Sequence, residues 1–255
     1  GALELVERSV DEVLCVALPR PDGGVQMIPP LNPSGHPELP IPDYQAGVPL
    51  LQSLAGARAV IYLDFQGGYT PTWGGITYER PHLSARQIRE IWQRVAEDFM
   101  PFQINVTTDL RTFEQATSNS RQRVIITPTD SAAPRAGGVA YGGSFNWSVE
   151  TPCWVFVTQD VVSCAQASSH EAGHALGLVH TGKSLPGGYR EYYEGHGGGE
   201  TGWAPIMGLG YYRNVSQWSR GEYADANNEL DQLAILTSQT NVRYRPDDTG
   251  ETLAT

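Results

Sequence analysis

Residues 170–180 read HEAGHALGLVH. His170 and His174 are four apart, so on a helix both imidazoles share one face, one turn apart. Glu171 then stands beside the first histidine and can reach a water held by a metal. Gly177 gives the backbone a place to turn away from the helix. His180, six residues after His174, can swing back as a third ligand. Three neutral imidazoles leave a tetrahedral zinc one open position, which a catalytic zinc needs. The competing reading is a buried helix with two satisfied core histidines. It requires three histidines at ligand spacing, and a glutamate beside the first, to coincide by accident.

The extended pattern HExxHxxGxxH is the metzincin form of the zinc protease signature. The chain resembles metzincin zinc endopeptidases, and in particular secreted bacterial metzincin-like proteins. Besides the histidine pattern, the resemblance rests on AVIYLDF at 59–65, IREIWQRVAEDF at 88–99 and the stretch GYYRNVSQWSRGEYADANNELDQLAIL at 210–236. In outline it covers residues 57–245. It implies His170, His174 and His180 as ligands of one catalytic zinc and Glu171 as general base and acid. It implies Met207, within WAPIMG, as the Met-turn residue that floors the metal. It also implies that the glycine-broken segment GGVAYGGSFNW at 137–147 is the outer antiparallel strand over the cleft. Gly138, Val139, Ala140 and Tyr141 would there pair with an extended protein or peptide substrate. Two positions depart from the clan. Thr181 follows the third histidine, where several metzincins carry an acidic or other family-marking residue. Leu209 stands two after the methionine, where astacin-like and serralysin-like members place a tyrosine, so Tyr211 and Tyr212 are off that pattern. The rival to an enzyme is a noncatalytic binding or adhesive module on the same scaffold, for which the intact Glu171 would serve no purpose.

Positioning these residues requires a sheet with helical backing. AVIYLDF predicts a buried strand. Ser84 with Gln87 makes a capping box, and Ile88, Ile91, Trp92, Val95 and Phe99 fall on one helical face that Pro101 ends. Residues 102–109, 123–130 and 154–160 predict three more strands, and Ser163 caps a zinc helix beginning near Cys164. The fold class is α/β (α+β): a twisted, mixed five-stranded sheet with an antiparallel edge strand, a backing helix and a zinc-binding helix. An irregular C-terminal part follows, with a helical turn at 217–223. Asn227 or Asn228 would cap a final helix through Leu236, with Leu230, Leu233, Ala234 and Leu236 as its apolar face.

The 255 residues divide into an extension at 1–55, a zinc domain at 56–245 and a loose tail at 246–255. VLCVAL at 13–18 predicts a strand, PRPDGG at 19–24 a turn and residues 25–28 a short return strand. Residues 29–50 are proline-rich and predict a wrap or linker. A net charge of −11 argues against nucleic acid and against an anionic membrane surface as partners, and no apolar run has spanning length. A monomer is the expected state. Cys153 and Cys164 are close enough in sequence to bridge, which would favour an extracytoplasmic location, while a secreted, bacterial setting is what the resemblance implies; two buried thiols are the alternative. Cys15 is then left over. In some metzincins a propeptide cysteine closes the open zinc position. Cys15, or Asp22 or Asp43 in the same extension, is the candidate here, against a small buried apolar role for the thiol. Asp225, Asn227, Asn228, Glu229 and Asp231 form an oxygen-rich group that could take Ca2+, although helix capping explains most of it. His196 among glycines reads as a surface histidine, with lining the cleft or binding a second ion as the alternative. Asn105, Asn146 and Asn214 lie in N-x-S/T sequons.

Overall fold

Period-two alternation explains the central sheet. In β1 (Ala59–Asp64), Ala59, Ile61 and Leu63 enter one core cluster, while Val60 and Tyr62 face another on the opposite side. The same alternation holds for β3 (Arg121–Ile126) and β5 (Cys153–Val155), where Ile125 and Trp154 point away from the main cluster. With β2 (Ile104–Thr107) and β4 (Gly138–Val139), these strands form a five-stranded sheet in the order β2-β1-β3-β5-β4. All pairs are parallel except β4 with β5, so the antiparallel strand is the edge. The computed structural model in which this is seen describes residues 44, 45 and 47–246. The strand and turn expected within 13–28, the first part of the proline-rich wrap, Cys15, Asp22, Asp43 and the tail beyond 246 lie outside the described residues.

Helix α1 (Ala85–Asp98) begins as its sequence requires. The Ser84 side chain accepts from Gln87 N, and the Gln87 side chain accepts from Ser84 N at 2.9 Å. Ile88, Ile91 and Val95 are its buried stripe, and Trp92 Nε1 donates to Val106 O at 2.9 Å. A shorter helix, α2 (Leu110–Gln115), covers the other face, with Phe113 5.4 Å from Tyr62. Helix α3 (Val161–Ala175) carries HEAGH. It starts earlier than Cys164 because Asp160, not Ser163, is the cap: the Asp160 carboxylate accepts from Ser163 N at 2.7 Å. From Val162 to Ala175 only Gln166 escapes burial. Alanine, serine and glycine fill most of that stretch, and such small side chains let α3 lie close to both the sheet and α1. Ser169 Oγ donates to Asp98 Oδ2 at 2.6 Å, fastening α3 to the end of α1.

The expected Cys153–Cys164 bridge is not formed; both are buried free thiols. Strand direction is the reason. Cys153 opens β5, and α3 runs back along the sheet from that strand's far end. Cys153 therefore lies beside Glu171, whose charge raises its pKa further after burial, whereas Cys164 feels Asp160 at the helix start. Seven residues of helix, roughly 10 Å at 1.5 Å per residue, separate the two levels, and a disulfide needs Cα atoms within about 7 Å. Cys153 instead donates to Arg123 O at 3.6 Å. Alkylating the unfolded chain without reductant should label both cysteines; a linked peptide in a nonreducing digest would contradict this.

Two C-terminal expectations also change. No helical turn forms at 217–223; Val215–Gln217 pairs in parallel with Trp203–Pro205 instead. The last helix, α4 (Gln232–Ser238), starts late, capped by Asp231 rather than by an asparagine. Leu236 is buried in it, but Leu230 and Leu233 are exposed. Asn227 and Asn228 are engaged elsewhere: Asn227 Oδ1 accepts from Gly182 N at 2.7 Å, and Asn228 Nδ2 donates to His180 O at 2.9 Å. They brace the loop that carries the third histidine. At the opposite sheet edge, residues 51–53 run along β2, with Thr108 N donating to Leu51 O and Ser53 N to Val106 O. Part of the expected extension is thus joined to the sheet. No helix among the described residues is long and apolar enough to cross a membrane.

Candidate metal centre

Helix α3 sets His170 and His174 one turn apart, and the way it ends brings in the third histidine. The cap is Leu176, and Gly177 follows at φ +91°, a left-handed conformation that favours glycine. Leu178 N then donates to Gly173 O at 2.9 Å, closing the helix and sending the chain back toward it. Three imidazole Nε2 atoms meet. That of His174 lies 2.9 Å from His170 Nε2 and 3.0 Å from His180 Nε2. Among the described residues, no other group of three or more His, Cys, Asp or Glu side chains converges in this way.

The donor set fits a metal. His170 Nδ1 faces Ile206 O at 2.8 Å, His174 Nδ1 faces Leu178 O at 2.8 Å, and His180 Nδ1 faces Glu191 Oε1 at 2.7 Å. Carbonyl and carboxylate oxygens only accept, so each ring donates from Nδ1 and turns an Nε2 lone pair inward. Three inward lone pairs repel one another and suit a cation. A tetrahedral zinc with bonds of about 2.0–2.1 Å separates its ligand atoms by roughly 3.3 Å, near the spacing seen. Burial, reinforced by the neighbouring histidines, pushes the pKa of His170 and His174 well down, which keeps them neutral as ligands must be.

Glu171 is 1% exposed, and burial pushes its carboxyl pKa well up. Its Oε2 has no hydrogen-bond partner among the described residues. A buried carboxylate oxygen without a donor is costly and calls for a water or a ligand there. The carboxylate packs against β4: a Cβ built on Gly138 would lie 2.6 Å from Glu171 Oε1. Val139 faces the other side of the sheet, with Trp154. Ala140 returns to the main core, and the Tyr141 ring sits 4.3 Å from that of Trp73. Gly143 N donates to His174 O, tying the loop after β4 to the end of the histidine helix.

Met207 is fully buried in a turn that Gly208 N closes on Pro205 O at 2.9 Å. It lies against α3 between the two helical histidines: a Cβ on Gly173 would be 2.6 Å from Met207 Sδ. Thr181 N donates to Met207 O at 2.8 Å, so the turn also holds the chain next to His180. His196 is not part of the cluster; its Nδ1 pairs with Tyr193 OH at 3.0 Å and its ring lies 5.4 Å from Trp203. Tyr211 is buried in the main core and Tyr212 is exposed. Within the oxygen-rich group, Asn227 and Asn228 brace the His180 loop, Asp231 caps α4, and Asp225 sits 3.6 Å from Lys183 Nζ. Glu191 and Tyr192, whose ring is 4.4 Å from that of His180, were not singled out from sequence. They sit beyond a hairpin, Lys183–Leu185 with Gly188–Arg190, and no spacing rule reaches across it.

No family model, curated protein or solved structure matches this chain.

Proposed function

We propose that residues 56–245 form a zinc-dependent endopeptidase of the metzincin type. The observation that carries this reading is the convergence of three inward-turned Nε2 atoms beside Glu171, a buried carboxylate whose Oε2 has no partner among the described residues. Zinc in such a site supplies Lewis acidity, making water nucleophilic near neutral pH and polarising a carbonyl. Glu171 accepts a proton from the attacking water as the new C–O bond forms. It then delivers that proton to the leaving nitrogen as the C–N bond breaks. Ile206 O, Leu178 O and Glu191 hold the three rings in the tautomer that leaves Nε2 available. Met207 serves as the apolar floor. Substrate peptide adds along Gly138–Tyr141 at the outer edge of β4, where main-chain pairing grips an extended chain with little demand on its sequence. With the cysteines unbridged, a secreted location rests on the resemblance alone.

The purified protein should hold about one zinc per chain, as three ligands with one open position imply. It should cleave a mixed peptide library, lose that activity to a chelator and regain it with added zinc. No zinc and no uptake would defeat the metal centre. Zinc without cleavage would favour the adhesive scaffold.

A further inference from the structure

The three histidines are not held alike. His170 and His174 are almost fully buried, and each gives its Nδ1 to a main-chain carbonyl fixed by the fold. The His180 side chain is 11% exposed, and its Nδ1 partner is a side chain, the carboxylate of Glu191, itself 40% exposed. That glutamate reaches the ring because the segment bearing it is pinned on both sides. Tyr193 N donates to Thr181 O at 2.9 Å, and Leu209 N donates to Tyr193 O at 2.9 Å. Residues 191–193 thus lie between the third-histidine loop and the methionine turn. Glu191 takes the ring edge of His180 while Tyr192 packs on the ring.

We propose that Glu191 is the positioning residue of the third ligand, holding His180 in its Nδ1–H tautomer with Nε2 turned to the metal. The inference rests on the metal-centre reading above. A carboxylate is a stronger acceptor than a carbonyl and carries charge. It orients the ring and fixes which of its two nitrogens faces the metal. His180, the most exposed ligand and the only one held by a removable group, is then the one whose grip sets how firmly the metal is kept.

The test is zinc affinity by competition with a chromogenic chelator, alongside the visible spectrum of the cobalt(II)-loaded protein. Glu191→Ala should bind zinc about 10–100-fold more weakly and change the cobalt spectrum. Glu191→Gln keeps an acceptor oxygen without the charge and should recover part of the loss. Glu194→Ala is the control. Glu194 is exposed on the same loop, 3.7 Å from Arg190 and off the histidine cluster. Its loss should shift affinity by less than about twofold, since exposed charges are screened. Unchanged affinity in Glu191→Ala, or an equal loss in Glu194→Ala, overturns the role. If the alanine variant does not fold, Glu191→Gln must still bind zinc more weakly than the parent, and equality overturns the proposal. A parent that takes up no zinc defeats the metal centre itself, an outcome separate from a parent that binds zinc no better than its Glu191 variants.

Discussion

Glu171→Ala should keep its zinc and lose turnover by about 10²–10⁴-fold, the usual worth of a positioned general base. The metal should stay because none of the three ring contacts involves Glu171; their partners are Ile206 O, Leu178 O and Glu191. Turnover should fall because the buried Oε2 of Glu171 has no partner among the described residues and is free to take the proton. Stability supplies a second readout. A buried acid without a donor costs the folded state, so the variant should melt no lower than the parent despite the small void it leaves. Glu171→Gln, which preserves shape against Gly138, should be equally inactive. Activity within a few-fold of the parent in either variant would remove Glu171 from the reaction.

What the sequence made legible was local. His170 and His174 are related by one helical turn, and Gly177 announces where that turn ends, so the cluster of three histidines could be read before any fold was known. The Ser84–Gln87 box was readable for the same reason, being complete within four residues. The errors came where direction or competition decides. A separation of eleven positions from Cys153 to Cys164 says that a loop can close, but not that the helix starts at the far end of the strand. Asn227 and Asn228 are good caps in isolation. Here the backbone groups of Gly182 and His180, more than forty residues away, claim them, and Asp231 becomes the cap. Glu191 escaped notice because a hairpin intervenes between it and its histidine, and only folding shows that the hairpin brings them together. Gly173 and Gly138 were visible as letters, yet the reason for each is a neighbour from a distant segment, Met207 in one case and Glu171 in the other.

Gly138→Ala should cut activity by about 10²-fold while leaving zinc bound. The added methyl carbon would lie 2.6 Å from Glu171 Oε1, 2.7 Å from Glu171 Cγ and 2.7 Å from Trp154 O. The last is main chain in the neighbouring strand β5 and cannot swing aside. Ordinary contact needs roughly 3.4 Å or more between carbon and its neighbours, so Glu171 must yield by something near 0.8 Å, and β4 must also draw slightly away from Trp154 O. A displacement of about 1 Å at a reacting group costs on the order of 10²-fold in rate. The His170 and His174 rings are anchored by carbonyls outside β4, so metal content should match the parent. The partition between constants identifies what moved. A fall in kcat with little change in KM means that the carboxylate was displaced, as argued. A rise in KM at constant kcat would place the damage in substrate pairing along the β4 edge instead. Full activity in Gly138→Ala would show that Glu171 does not work from the position in which β4 now holds it.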